Sequence, residues 1–351
     1  MDIEQPESLI EYLHSSHRVA PDEVLSFEVL HGGVSNRTVL VKRETGGDWV
    51  IKQALAKLRV ATDWFSSPER VHREALGMKW LNELAPPGAI TRLLFEDHDE
   101  HLLCMEAVPR PHTNWKSMLI AGDLHSEHIW QFGQLLGTIH RRSTERAHEL
   151  KNIFDDRTYF ESLRLEPYYA FTAQQVPAAA PFLEQLLAET RTRRECLVHG
   201  DYSPKNVLVH QARLILLDHE VIHWGDPAFD LGFSLTHLLS KAHHVVGHHR
   251  QFAQACIDYW QSYRSALQQV GWMDGLEERA VRHTLGCLLA RVAGRSPLEY
   301  LSPQERNWQQ AVVVELMNTP PATIEALVDL FLIHTYLVLC QIGKRGSAGV
   351  R

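Results

Sequence analysis

The stretch LVHGDYSPKNVLV, Leu197–Val209, decides how the rest of the chain is read. Apolar residues flank a polar middle that places His199, Asp201, Lys205 and Asn206 within eight positions. The residues that follow, VLVHQARLILLD, read as a hairpin, with strands near 207–209 and 214–217 and a turn near His210-Gln211-Ala212. Antiparallel strands joined in this way bring their outer ends together. Asn206 precedes the first strand and Asp218 ends the second, so they are expected side by side, with Asp201 a short loop away. Two carboxylates and an amide oxygen converging on one point suit Mg2+, which takes hard oxygen ligands.

The spacing sharpens that reading. His-x-Asp, four residues, Asn, and a further Asp about a dozen positions on is the arrangement of kinase catalytic loops. A lone H-x-D would be a polar loop capping two strands. The spacing, the hairpin and Asp218 together point to catalysis. An upstream region then has to cover phosphates and supply a lysine. HGGVSN, His31–Asn36, lies between the strand-like LSFEVL and RTVLVKR. Gly32 and Gly33 permit close backbone approach, and Ser35 and Asn36 add polar groups near a phosphate. A plain hairpin turn explains the same residues equally well. Lys52 lies in WVIKQ, where alternation puts it on one face with Val50. A lysine pointing inward calls for a charge partner. Glu74 in RVHREAL is the natural one, with Glu69 competing. Kinases use such a pair to hold the α- and β-phosphates.

The chain has 351 residues, which suits two domains or one large composite one. Apolar content of 44% and charged content of 22% are ordinary for a globular protein. A net charge of −8 without a polybasic run excludes non-specific nucleic-acid binding and attraction to anionic membrane. Cys104, Cys196, Cys256, Cys287 and Cys340 are dispersed and form no C-x-x-C, so reduced buried thiols in a cytoplasmic protein are expected. MDIEQPESLIEYL at the N-terminus has no long apolar core and does not read as a secretory signal. The apolar Ala326–Gly343 is interrupted by Asp329 and His334, and reads as a buried helix or a homodimer face rather than a membrane span.

The chain changes character once. Up to about residue 106 it alternates as strands, with one clear helix at SPERVHREALGMKWLNEL, capped by Ser67 and Pro68. LLFED and HLLCMEA read as a further strand pair. After VPRPHTNW it is helical, with the 207–218 hairpin as an island. The expectation is an α+β, bilobal, protein-kinase-like fold. It has a β-rich nucleotide lobe at 1–106, a hinge at 107–112 and a larger, mostly helical catalytic and acceptor lobe at 113–351.

LVHGDYSPKNVLV followed by LLDHEVIHWGDPAFDLGF resembles the aminoglycoside phosphotransferase and choline kinase-like family of small-molecule kinases. VIKQALAKLRVATDWFSSPERVHREA further resembles its methylthioribose kinase branch, although those enzymes usually depart from Asn at the position of Asn206. The resemblance implies ATP and Mg2+ as cofactors and a small-molecule hydroxyl as acceptor. It implies Asp201 as catalytic base, and Asn206 and Asp218 as metal ligands. Lys52 would bind phosphates with Glu74 behind it, and Met105, Glu106 and Ala107 would receive adenine through backbone groups. His199 would brace the loop. Asp230 resembles the buried aspartate that anchors the catalytic loop in this fold; read from position, Asp226 and Asp230 cap and brace the helix that follows them.

No A-P-E motif and no room for a peptide platform follow Asp218, which favours a sugar, amino sugar or amino alcohol over a protein acceptor. A nucleotide-binding pseudokinase scaffold and a methylthioribose-type metabolic sugar kinase are the alternatives. The run KAHHVVGHHR, with His243, His244, His248 and His249, is a polar helix end before it is a metal site, having no H-E-x-x-H. Arg164, Arg291 and Arg295 read as surface or helix-end residues or acceptor contacts, and Trp224 as core.

Overall fold

The structure, a computed structural model, describes residues 1–31, 33–59 and 63–333. The chain forms two compact units. One comprises Met1–Thr113 with Leu208–Ile222; the other comprises Asn114–Val207 with the chain from His223 onward.

The first unit is built on a five-stranded antiparallel sheet. Its strands are β1 (Leu25–Val29), β2 (Asn36–Arg43), β3 (Trp49–Ala54), β4 (Leu93–Asp97) and β5 (Leu102–Glu106), in the spatial order β1-β2-β3-β5-β4. Period-2 alternation sorts the side chains between two faces. Val39, Val41, Ile51 and Cys104 pack with Leu9 and Leu13 of α1 (Pro6–Ser15). Ala54, Leu103 and Met105 pack on the opposite face with Val71, Ala75 and Met78 of α2 (Arg70–Leu84). The strands and α2 are the elements the sequence pattern predicts; α1 has only Leu9 and Leu13 as its buried stripe, too little to show as periodicity. α2 starts at Arg70 rather than at a Ser67 cap. Arg70 N donates to Ser67 O at 3.3 Å and Val71 N to Pro68 O at 3.1 Å, so a tight lead-in turn occupies those positions.

The expected hairpin forms as Val207–His210 and Arg213–Leu216. Its turn residues Gln211 and Ala212 both have positive φ, 49° and 57°, the hand that matches strand twist in two-residue turns. Leu216 N donates to Ala89 O at 2.8 Å, which ties the hairpin to the residues just ahead of β4.

The second unit is mostly helical. Helices Ser126–Glu145 and His249–Leu267 cross closely at Gly133, where a Cβ would lie 2.6 Å from Tyr259 O. Helix Pro227–His244 is buried from Pro227 to Ala242 and is capped by Asp226, whose side chain accepts from Ala228 N at 3.0 Å. It meets Leu276–Ala293 at Gly232, where a Cβ would lie 2.5 Å from His283 Cβ; only glycine permits that crossing. Pro303–Asn318 opens with a reciprocal Ser302–Glu305 capping box.

The next helix is described over 324–333. The remainder of the expected Ala326–Gly343 helix lies outside the described residues. Cys104, Cys196, Cys256 and Cys287 are free and buried. Among the described residues no helix is long and apolar enough to cross a membrane.

Candidate active site

In the first unit Lys52 projects from β3 on the α2 face. Its Nζ donates to Glu74 Oε1 at 2.6 Å and to Asp218 Oδ1 at 3.1 Å. Glu74 lies on the same buried face of α2 as Val71, Ala75 and Met78, which is why it rather than Glu69 meets the lysine. Glu69 is exposed and lies 3.1 Å from His101 Nδ1. Burial pulls the Lys52 ammonium down, but Asp218 and Glu74 more than offset this and hold it well above its ordinary value. Burial pushes the Glu74 carboxyl up, with Lys52 opposing. One ammonium is thus shared by two carboxylates. Asp218 has φ 68°, a left-handed conformation uncommon for a residue with a Cβ.

A second network lies beside it. Arg70 is wholly buried; Nε donates to Glu220 Oε2 at 3.0 Å, Nη1 to Ser66 O at 3.2 Å and Ser67 O at 3.1 Å, and Nη2 to Ser35 O. Asn36 Nδ2 donates to Glu220 Oε2 at 3.3 Å and Ser35 Oγ at 3.2 Å. Ser35 and Asn36 are thus knitted to α2 and to the segment after Asp218. A Cβ on Gly33 would meet nothing nearer than Asn36 O at 3.9 Å, an ordinary contact, so no close approach demands glycine there. Gly32 lies outside the described residues.

A cavity of about 580 Å³ opens in the same unit, walled by Leu30, Leu40, Val50, Met105, Leu208 and Leu217, with Lys52 in its lining. Its size and apolar walls suit a planar ring. Glu106 and Ala107 also line it, whereas Gly33, Ser35 and Asn36 do not. Glu106 N donates to Arg92 O and Ala107 N to Asp48 O, each at 2.9 Å, so those two N–H groups are taken.

In the second unit Asp201 lies on a loop after the strand Cys196–Val198. His199 N and Gly200 N donate to Asp230 Oδ2 and Oδ1 at 2.7 and 2.8 Å. Asp230 is fully buried, with His140 Nε2 3.3 Å from its Oδ2. Burial pushes its carboxyl up, yet His140 and the backbone donors hold it below the usual carboxylate range. Asp226 caps its helix as expected; Asp230 instead holds the loop, as the resemblance implies. Gly200, at φ 77°, makes the bend between His199 and Asp201. Asp201 N donates to His199 Nδ1 at 3.2 Å.

The Asp201 carboxylate is held on both oxygens. Arg164 Nη2 lies 2.9 Å from Oδ1, and Asn206 Nδ2 donates to Oδ2 at 2.6 Å and to Asp201 O at 3.0 Å. With its nitrogen so used, Asn206 has its carbonyl oxygen left for a cation. Arg164 is therefore neither a surface residue nor a helix end. It is buried in the π-helical Glu161–Ala170, which contains Pro167, and its Nε donates to Gly200 O at 2.8 Å.

The other tempting residues resolve plainly. Arg291 is buried and donates to Tyr168 Oη and Ser296 Oγ, each at 3.0 Å. Arg295 pairs with Glu166 at 2.8 Å. Trp224 is core. His243 and His244 bond to Gln309 and Glu305, each at 3.0 Å, at the end of helix Pro227–His244.

Replacing Asp230 with alanine strands two buried N–H groups and His140. We expect a loss of about 3 kcal/mol or more in urea unfolding, with activity falling further than the folded fraction does.

The sequence profile of the phosphotransferase enzyme family matches residues 26–266, which takes in every site residue from Ser35 to Asp230. The chain belongs to the phosphotransferase enzyme family. Among its family relatives is the methylthioribose kinase of Pectobacterium atrosepticum, 25% identical over 260 residues, covering 62% of this chain and 64% of that one. Methylthioribose kinase 2 of Oryza sativa subsp. japonica is 24% identical over 277 residues, covering 69% and 64%. The chain thus spans under two thirds of the length of these curated relatives. A choline/ethanolamine kinase family protein from Mesorhizobium loti superposes with a TM-score of 0.55 at 15% identity, covering 93% of this chain and 99% of that one. An amicoumacin kinase in complex with AMP-PNP, Ca2+ and Ami gives 0.55 at 16%, covering 91% and 95%. At such identities the likeness concerns the fold, which is the expected kinase-like α+β fold.

Proposed function

We propose that this phosphotransferase-family protein transfers a phosphoryl group from ATP, with Mg2+, to a hydroxyl of a small molecule. The observation that carries the reading is the Asp201 carboxylate, held between Arg164 and Asn206 on a loop pinned by Asp230. Phosphoryl transfer asks little covalent chemistry of the protein; it needs positioning and charge. Asp201 orients the acceptor hydroxyl and takes its proton late, and the Arg164 pair at 2.9 Å fixes the carboxylate for that role. The first-unit cavity takes the adenine, which meets Glu106 O and the Val108 backbone, since the Glu106 and Ala107 N–H groups are used. Lys52 binds the α- and β-phosphates with Glu74 behind it. Asp218 and Asn206 carry the oxygen donors that would hold Mg2+, as the family resemblance implies, and the ion would supply neutralisation of phosphate charge. A scaffold has no need of all four of Lys52, Asp201, Asn206 and Asp218.

Within that class the second unit favours a neutral sugar over a polycationic aminoglycoside. Arg164 and Arg291 lie 5.9 and 5.8 Å from the Tyr168 ring centroid, and Lys241 and Lys116 lie 5.3 and 5.9 Å from that of Tyr300. Arg164 is balanced by Asp201 and Lys116 by Glu299, which leaves Arg291 as the surplus positive charge of this group, with Lys241 only partly charged near neutral pH. Burial, together with Lys116 and Arg291, pulls the Lys241 ammonium down to about 7. A polycation would add to this repulsion. The methylthioribose kinase relatives point the same way.

An ATP-consumption screen over methylthioribose and other neutral sugars, choline, homoserine and aminoglycosides tests the proposal, with Asp201→Asn as the blank. The expected order puts a neutral sugar first and aminoglycosides at least about tenfold lower in kcat/KM, a difference of about 1.4 kcal/mol. ATP binding without turnover on any acceptor would favour the scaffold.

A further inference from the structure

Three histidines and two glutamates that the proposed reaction does not use meet where the start of α2 faces the β4–β5 turn. Ligand atoms of Glu69, His72 and His101 all lie within 4.8 Å of one another, as do those of His72, Glu96 and His98. His72 is common to both groups and is nine-tenths buried, at 10% side-chain exposure. Its Nδ1 lies 3.0 Å from Glu96 Oε2, while its Nε2 is buried with no hydrogen-bond partner. A carboxylate on one ring nitrogen holds the proton there and leaves the lone pair on the other, the arrangement that orients metal-binding histidines. Glu96 is itself fixed by Lys79 at 2.8 Å.

The turn is pre-shaped as well. Asp97 Oδ1 accepts from Asp99 N at 3.0 Å and Glu100 N at 3.1 Å, and His101 has φ 48°, so its ring is presented toward α2 by a constrained backbone. His101 Nδ1 lies 3.1 Å from Glu69 Oε1. The His98 ring stacks on His72, with centroids 3.7 Å apart and planes 14° apart. None of these residues lines the cavity described above.

We propose that Glu69, His72 and His101 form a binding site for a divalent cation of the Zn2+ class, with Glu96 orienting His72 and water completing a four-coordinate shell. Two imidazoles and one carboxylate are a donor set for Zn2+; Mg2+ and Ca2+ prefer all-oxygen shells. Bound there, the cation ties the β4–β5 turn to the first turn of α2, the helix that carries Glu74. The reading is independent of the acceptor and of catalysis.

The test uses the whole chain stripped with a chelator, gel-filtered, and titrated with Zn2+ and separately with Co2+. We expect one Zn2+ retained per chain, a rise in melting temperature on adding it, and the intense visible absorption of four-coordinate Co2+. His101→Ala and His72→Ala should weaken binding at least about 100-fold and abolish the Co2+ signal, and Glu96→Gln should weaken it by about tenfold or more. His101 is half-buried on the β4–β5 turn, outside the core, so its variant should keep the fold, which circular dichroism checks; Glu69→Gln, at an exposed position, serves if it does not. Zn2+ affinity unchanged by these substitutions would overturn the proposal, as would a weak six-coordinate Co2+ spectrum.

Discussion

Asp201→Asn is expected to lower the rate of phosphoryl transfer about a thousandfold or more while leaving ATP affinity within about twofold. The substitution keeps the shape and an oxygen for Arg164 to bond, but removes the charge and the proton acceptor. It therefore separates the chemical role of Asp201 from its part in the hydrogen-bonded loop. ADP release in the presence of the best acceptor, together with calorimetric titration of ATP, checks both halves. A rate near that of the unsubstituted protein would sink the assignment of Asp201 as base. Loss of ATP binding would instead make it a structural residue of the loop.

Lys52→Met should have the next largest effect, and it has two readouts. Nucleotide affinity should fall about 100-fold or more, because the Lys52 ammonium lines the cavity and is held there by Glu74 and Asp218. Stability should also change, by about 3–5 kcal/mol near neutral pH, because removing one partner leaves buried carboxylates uncompensated. The sign of the pH dependence follows from Glu74. Burial already pushes its folded-state carboxyl above the ordinary value of 4.5, and without Lys52 nothing opposes that shift. The folded variant then binds more protons than the unfolded chain once pH passes about 4.5, so its stability falls as pH rises from there. Urea unfolding from pH 4 upward measures the trend. A flat profile would mean that Glu74 reaches water when Lys52 is absent. The double variant Lys52→Met/Glu74→Leu should regain stability without regaining nucleotide affinity, which separates the two consequences.

What could be read from the chain and what could not divide along physical lines. Asp201 and Asn206 lie five residues apart on one loop, so short-range rules suffice for the hydrogen bond between them, and the hairpin that leads to Asp218 follows from its two-residue turn. Lys52 and Glu74 follow from two periodicities, alternation along β3 and the apolar face of α2. Arg164 was beyond such rules. Its partner Asp201 lies 37 residues on, and the π-helical stretch that carries it winds more widely than the period a sequence pattern assumes. The Arg70–Glu220 pair, 150 residues apart, has no local signature either. Asp230 shows the same limit from another side. Its position in the first turn of a helix is a sound reason to expect a cap, and only tertiary structure reveals that its oxygens face the loop at His199 and Gly200. The histidines at 72, 98 and 101 are scattered among unremarkable residues, and it takes the fold to gather them.

Gly232 sets a mechanical tolerance for the whole second unit. It lies two residues from Asp230 and lets helix Pro227–His244 seat against Leu276–Ala293 without a gap. Any side chain there must lift the helix, and the lift is transmitted to the two backbone hydrogen bonds that locate Asp201. A substitution that touches no ligand would then present itself in a kinetic assay as a lesion of Asp201. Loss-of-function surveys of this chain should accordingly be normalised to the fraction folded before any residue of this helix is counted as part of the chemistry.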